Sequence, residues 1–203
     1  MNLIFATNNP HKLHEVKEKL RSANSNIRII GLSEIGFFDE IPETGNTFHA
    51  NALQKAQTVY DFCCCNCFSD DSGLEIDALN GAPGVYSAMY SEINGGGKTF
   101  DDNINLVLSN MQGITNRRAN FKTVIALILN GETHYFEGRV DGEILFEKHG
   151  TEGFGYDPIF RPDGHKETFA ELPLETKNQI SHRGRAIDRL VEFLITQSPN
   201  KLL

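Results

Sequence analysis

Phe121-Lys122-Thr123-Val124-Ile125-Ala126-Leu127-Ile128-Leu129, then Asn130-Gly131, then Thr133-His134-Tyr135-Phe136-Glu137-Gly138, is the stretch that decides the fold. The first run is apolar and rich in β-branched residues, the composition of a buried strand. Asn-Gly is the preferred two-residue hairpin turn, because both central positions need a positive φ. The second run is the return strand. Asp141-Gly142 is read as another tight turn, before Ile144-Leu145-Phe146. Adjacent antiparallel strands in mid-chain favour a mixed sheet flanked by helices over a purely parallel one.

Outward from the hairpin, strand and helix signals are interspersed. Residues 3–6 form a short apolar run, a first strand. Asn9 can cap a helix and Pro10 fits its first position. Leu13, Val16 and Leu20 give that helix one apolar face. Residues 27–30 suggest a second strand. Phe48, Ala52, Leu53, Ala56 and Val59 have helical spacing, with Asn46 or Thr47 as cap, and Asn51 and Lys55 share a face. Cys63, Cys64, Cys65 and Cys67 lead to Phe68 and read as small buried thiols on a strand rather than a zinc site, which wants spaced pairs. Leu74-Glu75-Ile76-Asp77 alternates like a half-exposed strand, and Gly81-Ala82-Pro83-Gly84 forces a loop. Thr99 caps a helix carrying Phe100, Ile104, Val107, Leu108 and Met111. Ala186, Ile187, Leu190, Val191 and Leu194 stripe the last helix.

The 203 residues carry 19 basic and 27 acidic side chains, a net charge of −8. A nucleic-acid polymer needs a basic stripe, so none is expected as partner. No run approaches the roughly 20 apolar residues that span a bilayer. The start lacks a basic signal-peptide region, and free thiols suit a reducing compartment, so a cytoplasmic location is expected.

Five segments can carry chemistry. Ser69-Asp70-Asp71-Ser72-Gly73 places paired carboxylates at the lip of a glycine turn. It reads either as a solvated acidic bend or as half of a Mg²⁺ site. Thr7-Asn8-Asn9-Pro10-His11-Lys12 leads into a helix N-terminus that suits phosphate, although Lys12 can equally be a surface lysine. Glu43, alone an exposed loop acid, can join the aspartates around a metal. Gly153-Phe154-Gly155-Tyr156-Asp157-Pro158 can present a ring for base stacking, worth about 1–3 kcal/mol in nucleic-acid systems, or can be a tight turn whose aromatics fill the core. Lys177 and Ser181-His182-Arg183-Gly184 offer donors for phosphate or a keto oxygen, or only incidental charge in a linker. Gly97-Lys98-Thr99 imitates the end of a Walker A loop, but Glu92 occupies its first glycine position.

Taken in order, these segments resemble the inosine triphosphate pyrophosphatase family, the Ham1-like purine nucleoside triphosphate pyrophosphatases. Pro42-Glu43-Thr44-Gly45, Asn51-Ala52-Leu53-Gln54-Lys55-Ala56 and Gly81-Ala82-Pro83-Gly84-Val85-Tyr86-Ser87-Ala88 join them, so the resemblance spans nearly the whole chain. It implies Mg²⁺-dependent hydrolysis of ITP, dITP, XTP and dXTP to the monophosphate and pyrophosphate. It also implies one α/β domain over residues 1–203, a mixed β-sheet flanked by helices, with two lobes and the active-site cleft between them. A cytoplasmic homodimer is implied as well.

By motif, Asp71 resembles the general base and a metal ligand, Glu43 a second ligand, with Asp70 beside them. Thr7, Asn8, Asn9, Pro10, His11, Lys12, Lys55, Ser72 and Lys177 resemble triphosphate contacts. Phe154 resembles the stacking platform, with Gly155 and Tyr156 in its loop. Asp157, His182 and Arg183 resemble base-edge readers. Asn8 stands where many relatives carry glycine, and its tolerance of left-handed angles is expected to preserve the loop. Which aspartate takes the proton stays open, since coupled carboxylates share their titration. A Maf-like pyrophosphatase or a non-catalytic nucleotide-binding protein are the alternatives.

Overall fold

The computed structural model describes residues 1–22 and 27–197. In chain order the elements are β1 (Asn2–Phe5), α1 (Pro10–Ser22), β2 (Arg28–Ile30), α2 (Phe48–Cys63), β3 (Cys67–Ile76) and α3 (Tyr90–Ile93). They continue as α4 (Phe100–Asn110), β4 (Arg118–Leu129), β5 (Glu132–Ile144), β6 (Phe160–Pro162), α5 (Leu174–Ile180) and α6 (His182–Gln197). Among the described residues the strands form one six-stranded sheet in the order β2-β1-β3-β4-β5-β6. It is mixed: β1 runs parallel to β2 and β3, and β6 is antiparallel to β5. The Asn130-Gly131 turn joins β4 to β5 with φ values of 52° and 85°, as a twisted two-residue hairpin requires.

The chain divides into two compact units: Met1–Asp71, Thr123–Gly138 and His182–Leu203 form one, Ser72–Lys122 and Arg139–Ser181 the other. The first has a core of Leu3, Phe5, Val16, Leu20, Phe68, Ile125, Leu127, Ile187 and Leu190. Phe5 and Phe68 are register partners on β1 and β3, and their rings stack at 4.4 Å. The second has its own core of Leu74, Ile76, Ile104, Met111, Phe121, Tyr156, Phe160 and Phe169. The expected caps are in place. Asn9 Oδ1 accepts the backbone N–H of His11 (2.9 Å) and of Lys12 (3.2 Å), and Thr47 and Thr99 cap α2 and α4.

The structure corrects four local expectations. Asp70-Asp71-Ser72-Gly73 is not a turn but the middle of β3. Asp141-Gly142 is not a turn either: β5 runs through it, and Gly142 is bare because a Cβ there would strike the Arg161 carbonyl and the Phe160 ring of β6. The cysteine run is not a strand. Cys63 ends α2, Cys64 and Cys65 are exposed, and only Cys67 is buried on β3. Asn8 is not left-handed; it is held instead by its amide, which donates to the Asp39 carbonyl at 3.3 Å.

Candidate active site

The two aspartates part because they are neighbours on a strand, where successive side chains point to opposite faces. Cys67, Ser69 and Asp71 face α2: the Cys67 thiol and the Ser69 hydroxyl donate to the Ala56 and Ala52 carbonyls, and Asn51 donates to Asp71. Phe68 and Asp70 face α1 and α6, which supply Val16 and Ile187 to the core beside Phe68 and Lys12 and Arg183 to Asp70.

Asp70 is fully ion-paired. Lys12 Nζ lies 3.0 Å from Oδ1 and Arg183 Nε 3.1 Å from Oδ2. Arg183 also donates to the buried Glu15 of α1. Burial pushes the Asp70 carboxyl up, but Lys12, Arg183 and Lys55 outweigh it and hold it far below the usual carboxylate range. Arg183 can reach this place because α6 starts hard against β5: a Cβ on Gly138 would strike the His182 carbonyl. His182, the first residue of α6, is itself buried.

Asp71 is held differently. Asn51 Nδ2 donates to Oδ2 at 3.1 Å, and Lys55 Nζ lies 3.5 Å from Oδ1. Burial raises its carboxyl above the ordinary value, and Lys55 and Lys12 only partly offset this. Lys55 Nζ is also 2.9 Å from Glu43 Oε1, so the Glu43 and Asp71 carboxylates meet on one ammonium. Burial works against that charge, yet Asp71, Glu43 and Asp70 more than compensate, and Lys55 is raised. The Glu43 loop is pinned to α2: the Thr44 N–H donates to Gln54 and the Gly45 N–H to Asn51 Oδ1, at 2.9 and 2.7 Å. Gly45 admits no Cβ, which would lie 2.7 Å from Asn51 Oδ1 and Ala50 Cβ. The Thr7–Lys12 segment enters α1, with Thr7 Oγ1 accepting the Asn9 N–H at 3.2 Å and His11 exposed. Asn9 already takes the His11 and Lys12 N–H groups, so Lys12 Nζ is the cationic group this segment brings to the aspartates.

In the second unit, Gly153 and Gly155 adopt φ of 77° and 60°, and the loop between them folds around Asp157. Asp157 is buried and accepts the Phe154 N–H at 2.8 Å and Lys177 Nζ at 2.6 Å. The Lys177 ammonium lies 5.1 Å from the centre of the Phe154 ring and 5.7 Å from that of Phe169. Lys177, expected among the triphosphate contacts, therefore belongs to the Phe154–Asp157 cluster. Tyr156 does not present its ring: it is buried in the core, and its hydroxyl donates to the Ser87 carbonyl at 2.9 Å. Phe154 packs beside Phe100, with centroids 6.2 Å apart. Ser72 follows Asp71 on β3 and is half-buried.

Two residues of the first unit escaped the sequence reading of the site. Asn51 clamps Asp71 and the Glu43 loop together; its signal was the shared helix face with Lys55. Glu15 anchors Arg183; it lies outside the apolar stripe of Leu13, Val16 and Leu20, so the helical period gives no signal for it.

With this geometry in view, the chain belongs to the Ham1 family, which it matches over residues 3–193. It is 48% identical over 194 residues to the dITP/XTP pyrophosphatase of Flavobacterium johnsoniae, covering 96% of this chain and 98% of that protein. The dITP/XTP pyrophosphatase of Porphyromonas gingivalis is also 48% identical, over 95% of this chain and 97% of its own. Among solved structures, the Ham1 protein of Staphylococcus aureus superposes with a TM-score of 0.83 at 40% identity, covering 98% of this chain and 100% of that one. The HAM1 protein of Coxiella burnetii gives a TM-score of 0.85 at 38% identity, with the same coverage. The family match sets the Maf-like alternative aside.

Proposed function

We propose that the protein is a dITP/XTP pyrophosphatase that also takes ITP and dXTP, and so clears these nucleotides from the pool. Full-length relatives at 48% identity bear that name. The observation that carries the mechanism is the unequal treatment of adjacent carboxylates. Asp70 is locked as an anion between Lys12 and Arg183, whereas Asp71 is buried, raised and held by Asn51 and Lys55. A raised carboxylate is the better proton acceptor, so Asp71 takes the proton as water attacks the α-phosphorus. The bond between the α-phosphorus and the bridging oxygen breaks, and pyrophosphate leaves. Lys12 and Lys55 oppose the negative charge that grows on the phosphates.

Mg²⁺ fits the Glu43–Asp71 pair. Two hard carboxylates already converge on one positive charge, the Lys55 ammonium. Among the described residues no group of three or more His, Cys, Asp and Glu side chains is arranged to hold a metal. Mg²⁺ commonly takes one or two carboxylates and completes its shell with substrate phosphate and water. When bound, it would neutralise phosphate charge.

Phe154 is the platform for the base on this proposal. Lys177, fixed by Asp157 beside that ring, donates to the keto oxygen at the purine six position. Adenine presents an amino donor there and is opposed by the ammonium. Arg183 acts on the phosphate side as the counter-ion of Asp70, in place of the base-edge role expected from its motif. A cytoplasmic homodimer completes the proposal, on the strength of the family resemblance.

No helix among the described residues is long and apolar enough to cross a membrane. The test is pyrophosphate release with Mg²⁺ from ITP, XTP, ATP and GTP in parallel. ITP and XTP are expected to be turned over and ATP spared. Silence on all four would refute the enzyme, and equal rates on ATP would refute the role of Lys177.

A further inference from the structure

Asn51 is a buried polar residue of α2, and its amide is engaged at both ends. Its Oδ1 accepts the Gly45 N–H at 2.7 Å, and its Nδ2 donates to Asp71 Oδ2 at 3.1 Å. The polarity of that amide is forced. A backbone N–H can only donate, so the end that meets Gly45 is the oxygen. The end that meets Asp71 is then the nitrogen, a donor suited to a carboxylate. A flipped amide would set donor against donor and oxygen against oxygen. Glu43 stands two residues before Gly45, so the same bond fixes where its carboxylate lies against α2.

Asp71 has two oxygens, and Asn51 engages Oδ2. The other, Oδ1, turns to Lys55 Nζ at 3.5 Å, and that ammonium also holds Glu43 Oε1 at 2.9 Å. We propose that Asn51 is the positioning residue of the metal pair: by engaging Asp71 Oδ2 it assigns Asp71 Oδ1, together with Glu43, to Mg²⁺. This rests on the Mg²⁺ reading of that pair. Mg²⁺ demands near-ideal octahedral geometry, so the direction of each carboxylate matters to its binding. Ligating carboxylates are oriented by hydrogen bonds from behind, and Asn51 supplies one to Asp71. Asp70 is held by two cations, Lys12 and Arg183. The Asn51 amide is neutral, so it fixes Asp71 without adding a cation that would repel the ion.

The test is Mn²⁺ uptake by the full chain without nucleotide, read as loss of the free Mn²⁺ signal in electron paramagnetic resonance. The wild type should take up one ion per chain. Asn51→Ala should bind it about 10–100-fold more weakly, the usual cost of losing a partner that orients a ligand. Gln54→Ala is the control. Gln54 pins the same loop through the Thr44 N–H at 2.9 Å but bonds to neither carboxylate, so this variant should bind Mn²⁺ as the wild type does. In turnover of ITP, Asn51→Ala should need more Mg²⁺ for half its maximal rate, and added Mg²⁺ should restore part of the activity. A loss of folded protein alone gives no such rescue. Wild-type affinity in Asn51→Ala, an equal loss in Gln54→Ala, or no uptake by the wild type would overturn the assignment. Thermal melts check that each variant is folded. If Asn51→Ala is not, Gly45→Ala carries the test: its Cβ would lie 2.7 Å from Asn51 Oδ1 and push the amide aside. Wild-type affinity there overturns the assignment equally. Mn²⁺ uptake and pyrophosphate release are separate measurements, so failure here is distinct from failure of the proposed enzyme.

Discussion

Asp70 and Asp71 are adjacent on β3 yet meet different partners, Lys12 and Arg183 for the first, Asn51 and Lys55 for the second. Asp71→Asn removes the proton acceptor but keeps a side chain of the same shape beside Asn51 and Lys55. Turnover of ITP should fall by about 10²–10⁴, measured as pyrophosphate release, while the thermal midpoint is held. Asp70 has a different signature. Although burial alone would raise it, its cationic neighbours hold its carboxyl below the unfolded-chain value of about 3.9. Its contribution to stability is therefore present above that pH and is lost as the pH falls below it. Urea melts from about pH 7 to about pH 3 should show a steeper loss for the wild type than for Asp70→Asn. Lys177→Met removes the donor fixed between Asp157 and the Phe154 ring. The kcat/KM for ITP should drop about 10–100-fold, the worth of a charged hydrogen bond. The ITP-to-ATP preference should narrow with it, which a loss of stability alone would not produce.

At the scale of elements, one bare glycine decides where α6 begins. A Cβ on Gly138 would meet the His182 carbonyl and the Ala186 nitrogen, both backbone atoms that cannot rotate away. Gly138→Ala should therefore push α6 off β5, costing about 1–3 kcal/mol by chemical denaturation. Activity should fall further than stability, because Arg183 and its pair with Asp70 move with the helix. Most elements were legible in the sequence. The Asn9, Thr47 and Thr99 caps and the Asn130-Gly131 hairpin rest on local chemistry and stand where that chemistry puts them. Gly142 and Gly73 were misread for one reason. Glycine in a turn and glycine in a strand look alike in sequence, and what separates them at Gly142 is a neighbouring strand, β6, eighteen or more residues away.

At the scale of the whole molecule, β3, β4 and β5 each run without interruption from residues of one unit into residues of the other. Unfolding one unit alone would break each of these three strands at mid-length, so unfolding should be one transition. Urea melts followed by far-UV circular dichroism and by tyrosine fluorescence should coincide; separated midpoints would show that the units unfold independently. The sequence by itself determined the mixed sheet, the starts of α1, α2 and α4, the family and the roster of charged side chains, because propensity and capping act over a few residues and the motifs are read in the order they stand. Only the tertiary structure decided which partners those charges meet. The Asp70-Asp71 stretch became strand rather than bend, which sent one carboxylate to α1 and α6 and the other to α2. Lys177 meets Asp157, and Arg183 meets Asp70 and Glu15, for the same reason: a buried charge is placed by the opposite charge that packing brings to it, and packing joins residues far apart in the chain.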